Sequence, residues 1–348
     1  MTDLRFQALS QWCKTELSEE SLQLDVVSDD ASFRRYFRIS AKEASLNPLC
    51  HQSLIAVDAP PDKENCSNFI AIATDLAAHD VKVPSIIKSS ISQGFMILDD
   101  FGDNLLLAHL TDSSVDGYYQ QAMQSLLHLK DCTAMSAYKL PVYDRHLLKT
   151  EMLLFPEWFL VKHLGFDKPD IIFPELDNIF KLLIQSAEQQ PQVCVHRDFH
   201  CRNIMLLESS KLGIIDFQDA VLGPITYDLV SLLKDCYISW PREKVLVWVE
   251  YYFNHLVKTN HPRIDNLDQF IRWFDLMGMQ RHIKVLGIFA RLNHRDNKSA
   301  YLDDMPMTLH YLIESCSFYP EFNTFGETLE REILPFFSQS LVNDCTSN

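Results

Sequence analysis

The side chains best suited to chemistry lie in VCVHRDFHCRNIMLLESSKLGIIDFQDA, residues 193–220. Two short runs, 203–207 and 212–217, flank ESSK, the pattern of a β-hairpin. The loop HRDFHCRN leads into it. That loop offers a carboxylate at Asp198 and an amide oxygen at Asn203, and the hairpin brings a second carboxylate at Asp216. An amide oxygen and a carboxylate are hard donors that suit Mg2+. Asp198 can accept a proton from a hydroxyl and aim its oxygen. Adjacent phosphates repel each other and any nucleophile until a cation bridges them, so the set fits phosphoryl transfer from ATP.

The loop matches the protein-kinase pattern H-R-D-L-x-x-x-N, in which the metal aspartate ends the following hairpin. His196, Arg197, Asp198 and Asn203 fall at the required spacing, and Asp216-Phe217 takes the metal position, with Gln218 in place of glycine. Asp100-Phe101-Gly102 spells the same letters far upstream, before the loop instead of after it. Order along the chain excludes it as the metal site. Its acids and glycine read as turn and cap residues of a linker. His196 and Arg197 read as braces of the loop. His200 reads either as an acceptor contact or as loop packing.

HRDFHxxN, then IIDF, then GPITYDL together resemble the aminoglycoside phosphotransferase family, which includes choline-kinase-like enzymes. Residues 31–39, 57–66, 215–241 and 277–296 resemble one branch, the bacterial kinases that phosphorylate N-acetylmuramate and N-acetylglucosamine at C1. The resemblance implies an α+β, bilobal, protein-kinase-like fold with a small β-rich N-lobe and a mainly helical C-lobe. It implies an ATP- and Mg2+-dependent enzyme of cell-wall recycling that acts on the anomeric hydroxyl of an amino sugar. It implies a supporting role for Asp228, bracing the catalytic loop from a helix N-terminus. Two other readings stay open: the same chemistry on an aminoglycoside or a choline-like amino alcohol, and a nucleotide-binding pseudokinase.

The pattern departs from kinases in two places. No glycine occurs between residues 24 and 40, so Ser32, Arg34, Arg35 and Arg38 are the candidates for holding phosphate. Alternation places Arg34, Tyr36 and Arg38 on one strand face and Phe33, Arg35 and Phe37 on the other. The third strand also lacks its lysine. Asp58 stands near that place and reads as a turn residue before Pro60-Pro61; Lys63 lies outside the strand, and the helix at 68–81 has no glutamate. An arginine of 34–38 is expected to take over. Leu98 and Asp99, where the chain enters the linker, are expected to meet the nucleotide.

These residues need a scaffold. Leu4, Leu9, Trp12, Cys13 and Leu17 predict an amphipathic N-terminal helix. Strands are predicted at 24–28, 33–40, 53–59, 86–90 and 94–100, and a helix at 68–81. From 105 onward the pattern is mostly helical. The predicted organisation is an N-lobe at 1–98 with the nucleotide-positioning loop, a hinge at 99–104, and a C-lobe at 105–348 with the catalytic loop and acceptor site. A formal charge of −16 disfavours nucleic acid. No apolar run approaches a membrane span. Nine cysteines without a C-x-x-C pair read as reduced thiols of a cytoplasmic protein. Residues 270–300 carry six cationic side chains against two acidic ones. Arg281, Lys284, Arg291 and Arg295 share one helix face, which reads as a solvated face or as a site for an anionic acceptor group. Arg281 and Arg291 are the acceptor candidates.

Overall fold

The structure is a computed structural model that describes residues 3–29, 33–41, 53–135, 137–208, 210–259 and 261–337. In chain order its first elements are α1 (Leu4–Leu17), β1 (Leu22–Asp29), β2 (Arg35–Ala41), β3 (Leu54–Asp58), α2 (Cys66–Ala78), β4 (Ile86–Ser90), β5 (Phe95–Asp99) and α3 (Val115–Leu129). Then come α4 (Arg145–Met152), α5 (Pro169–Ile172), α6 (Leu176–Gln189), β6 (Gln192–Val195), β7 (Ile204–Leu206), β8 (Leu212–Ile214) and β9 (Val221–Pro224). The helices α7 (Tyr227–Leu233), α8 (Arg242–Lys258), α9 (Leu267–Asp296), α10 (Met305–Ser317) and α11 (Asn323–Thr328) follow. The chain divides into two compact units, Met1–Leu140 with Cys201–Ala220, and Pro141–His200 with Val221–Asn348. Residues 99–104 belong to the first.

The first unit holds an antiparallel sheet of order β1-β2-β3-β5-β4. The alternation read from the sequence sets its two faces. Phe37, Ala56 and Ile97 are in register and pack with Leu9, Cys13 and Leu17 of α1. Helix α1 starts where the Asp3 carboxylate accepts the Phe6 N–H, and ends at Ser18 in the left-handed region. Helix α2 begins earlier than the hydrophobic spacing indicates because Asn65 caps it. Gly94 turns the chain from β4 to β5 at φ +74°, where the Ala59 carbonyl occupies the space of a side chain.

The hairpin β7–β8 forms as predicted and is tied to this unit by backbone bonds. Ile214 N–H donates to Lys82 and Leu206 N–H to Asn104, both at 2.7 Å, and Leu105 bridges Met205. The Phe101 ring lies close against Gly213: a Cβ there would stand 2.5 Å from it.

The second unit is mainly helical, with the short antiparallel pair β6–β9. Its spine is α9, which packs against α4, α6, α7, α8, α10 and a π-helical segment at Phe155–His163. From Trp273 to Lys284 every residue of α9 is buried, so the one-sided polar face expected for Arg281 and Lys284 does not exist. No helix among the described residues is long and apolar enough to cross a membrane.

Candidate active site

In the second unit, β6 delivers the chain into the loop that carries Asp198. Arg197 sits at φ +78°, a strained conformation for a side chain of its size. Asp228, in the first turn of α7, holds this peptide: its carboxylate accepts the N–H groups of His196 at 2.6 Å and Arg197 at 3.0 Å. Burial pushes the Asp228 carboxyl up to about 6, against the pull of His196 and of these bonds. The buried His196 ring accepts the Asp198 N–H through Nδ1 at 3.3 Å. Burial also pushes Asp198 up, but Lys284, His200, Arg281 and His196 outweigh it and hold the carboxyl below its ordinary value. Asp198 is therefore ionised at neutral pH and able to accept a proton. His200 stands edge-on to Tyr237, ring centres 5.3 Å apart.

A buried network behind this loop has no local sequence signal. The Glu151 carboxylate accepts from the Tyr143 hydroxyl and from Arg197 Nη2 at 2.6 Å, and lies 3.2 Å from Lys284 Nζ. Lys284 also donates to the Tyr227 hydroxyl at 2.9 Å. Arg281 is buried; its Nε donates to Ser231 Oγ at 2.7 Å. Arg291 is only partly buried. Ten residues of helix, about 15 Å, separate it from Arg281.

In the first unit, a cavity of about 420 Å3 is lined by Tyr36, Ile55, Phe69 and Leu98 on one side and by Asn203 and Asp216 on another. Asn203 Nδ2 donates to Asp216 Oδ2 at 3.3 Å, and Gln218 Nε2 to Asp216 Oδ1 at 2.6 Å. Asp216 is itself left-handed, at φ +64°. An amide oxygen and a carboxylate side by side fit Mg2+ in donor type. Among the described residues no cluster of three or more His, Cys, Asp or Glu could hold a metal ion. A magnesium shell here would be completed by nucleotide oxygens and water, as this ion prefers. Leu98 and Asp99 both line the cavity, and the Asp99 backbone and carboxylate bond Ser85.

The phosphate candidates separate. Ser32 lies outside the described residues. Arg35 points to the α1 face of the sheet, away from the cavity, where it bonds Asp58 and Asp3. This removes it from the phosphate group. Asp58 is the last residue of β3, fully buried, and accepts from both Arg5 and Arg35, so it is an ion-pair centre and not a plain turn residue. Arg38 clasps Asp100 at 2.5 Å and Asp103 at 2.8 Å. The linker is thus pinned to the sheet. Arg34 is buried against Glu64 at 2.7 Å, with its guanidinium 5.7 Å from the ring of Phe69, a cavity residue. The glutamate missing from α2 stands just ahead of its cap. Lys63 is exposed over Phe33.

The sequence matches the phosphotransferase enzyme family over residues 23–267. The chain belongs to this family. It is 38% identical over 337 residues to the N-acetylmuramate/N-acetylglucosamine kinase of Pseudomonas aeruginosa, covering 94% of this chain and 96% of that one. It is 36% identical over 312 residues to the enzyme of the same name from Neisseria meningitidis, covering 87% and 89%. Among solved structures, an ethanolamine kinase of Plasmodium vivax superposes with a TM-score of 0.64 at 12% identity, covering 91% of this chain and 88% of that one. An ADP-bound aminoglycoside phosphotransferase gives 0.58 at 14%, covering 90% and 99%. These two show the fold alone, the protein-kinase-like α+β architecture expected from the sequence. The protein is a kinase, which sets aside the pseudokinase reading.

Proposed function

We propose that this kinase transfers the γ-phosphoryl group of ATP, with Mg2+, to the anomeric C1 hydroxyl of N-acetylmuramate and N-acetylglucosamine, in the cytoplasmic recycling of cell-wall sugars. The observation that carries the acceptor class is the extent of similarity to kinases named for these two sugars, which spans nearly the whole chain. Asp198 accepts the proton of the C1 hydroxyl as its oxygen forms the new bond to the γ-phosphorus. The bond from that phosphorus to the β,γ-bridging oxygen breaks, and ADP departs. Asn203 and Asp216 hold the magnesium ion, whose charge offsets that of the phosphates. Five peptide bonds join Asp198 to Asn203, so one loop serves both roles.

The cavity beside Leu98 and Asp99 takes the nucleotide. Arg34 serves as the cation normally supplied by the third strand, with Glu64 as its partner. A guanidinium fixed by a carboxylate and an aromatic face is well organised for phosphate.

The test is ATP turnover with both sugars, the methyl glycoside of N-acetylglucosamine, kanamycin and choline. Both free sugars should be consumed and lose their reducing end, and the methyl glycoside should be inert. Turnover of the glycoside would move the phosphate off C1. Turnover of kanamycin or choline alone would replace the acceptor class.

A further inference from the structure

Helix α9 buries two cations one turn apart, in unlike surroundings. Lys284 is matched by the Glu151 carboxylate and the Tyr227 hydroxyl. Arg281 is 4% exposed, and its hydrogen bond is to a neutral hydroxyl, that of Ser231. Its Nη1 is buried with no acceptor. No carboxylate among the described residues forms an ion pair with it. The Cys236 thiol beside it is kept neutral by burial. The Asp198 and Asp235 carboxylates act on Arg281 only through space, without a direct ion pair, and a charge withdrawn from water with so little compensation destabilises a fold. Such a group is explained when a ligand supplies the missing anion.

We propose that Arg281 is the residue that selects an acceptor sugar bearing a carboxylate. Its unpartnered Nη1 donates to the lactyl carboxylate of N-acetylmuramate, a group that N-acetylglucosamine lacks. Lys284 Nζ is already engaged by the Glu151 carboxylate and the Tyr227 hydroxyl, whereas Arg281 Nη1 has no acceptor. The inference rests on the amino-sugar reading above and adds to it the side chain that tells the two sugars apart.

The experiment compares wild type with Arg281→Met and Arg281→Lys. The first readout is the ratio of kcat/KM for N-acetylmuramate to that for N-acetylglucosamine. It should fall at least tenfold in Arg281→Met, the loss of one charge-assisted hydrogen bond, and take an intermediate value in Arg281→Lys. The second readout is thermal unfolding. Without sugar, Arg281→Met should melt close to the wild-type temperature or above it, because a buried charge with no direct ion pair is gone. N-acetylmuramate alone should raise the melting temperature of wild type more than that of the methionine variant. A drop in sugar-free melting temperature with equal losses on both sugars would make Arg281 a structural residue and overturn the proposal. So would an equal fall in kcat on both sugars at unchanged KM, which would assign Arg281 to Asp198 or the transferred group. If wild type phosphorylated neither sugar, the proposed function itself would fall, and this inference with it. Turnover of N-acetylglucosamine alone would overturn only the inference.

Discussion

Asp100-Phe101 and Asp216-Phe217 are the same two letters, in the same unit, lining the same cavity. Their partners differ. The Asp100 carboxylate is closed off by the Arg38 guanidinium, the Ser53 hydroxyl and the Gly102 N–H. The Asp216 carboxylate meets the neutral carboxamides of Asn203 and Gln218. A carboxylate already matched by a guanidinium has little charge left for a cation, whereas a carboxamide orients a carboxylate without cancelling its charge. The phenylalanines divide in the same way. Phe101 wedges under the hairpin at Gly213, while Phe217 packs on Phe69, 4.8 Å between ring centres. On the proposed function the first pair is architecture and the second faces the metal.

The largest effect should come from Asp216→Ala. Loss of a metal ligand should lower kcat/KM by about a thousandfold or more, roughly 4 kcal/mol of transition-state stabilisation, with the melting temperature little changed. Steady-state kinetics beside thermal unfolding measures both. Should Asp100→Ala abolish turnover and Asp216→Ala spare it, the comparison is reversed.

Asp100→Ala should act on stability instead. It removes the acceptor shared by Arg38, Ser53 and Gly102 and leaves Arg38 with Asp103 alone, at a cost of about 1–3 kcal/mol, with turnover per folded molecule within a few-fold of wild type. The pH dependence has a definite sign. Burial raises the Asp100 carboxyl, but Arg38, Ser53 and Gly102 outweigh it and hold it below its ordinary value of 3.8. Its contribution is therefore present above that value and fades as the pH falls through it toward the folded-state value. Urea unfolding at pH 7 and in acid should show wild type and variant converging.

The smallest effect should be that of Gly213→Ala. The new methyl would meet the Phe101 ring at 2.5 Å, so ring and hairpin must part, at about 1–2 kcal/mol. Adding Phe101→Leu should recover a good part of the loss. A double variant no more stable than Gly213→Ala alone would show that the ring is not what confines position 213.

The sheet was legible because its strands alternate and its turns carry Gly, Pro and acids. Residues 86–90, for example, form β4 with the predicted bounds. The candidate loop could be read as a motif because its proposed donors are set by spacing along one short segment. What escaped depends on partners distant in sequence. Glu151 reaches Arg197 across 46 residues, Arg5 reaches Asp58 across 53, and Arg38 reaches Asp100 across 62. The interior setting of Arg281 is of the same kind, since the spacing of charges on a helix does not say which neighbours will cover them. Arg35 was misplaced for a different reason. Alternation set its face correctly, but only α1, packed on that face, shows that the face is turned from the cavity.

The return of Cys201–Ala220 to the first unit bears on how the molecule is synthesised. The five-stranded sheet is complete once Asp99 has been translated, yet the hairpin bearing Asn203 and Asp216 follows only after Pro141–His200, a segment of the other unit. At about 5–20 residues per second, the ribosome takes roughly 4–16 s to travel from Leu140 to Ala220. Through that interval the nascent sheet has the apolar wall of the cavity but not the wall with Asn203 and Asp216, and the carbonyls of Lys82 and Asn104 await their hairpin. A fragment ending at Leu140 would be caught permanently in that state, with a cavity that lacks Asn203 and Asp216.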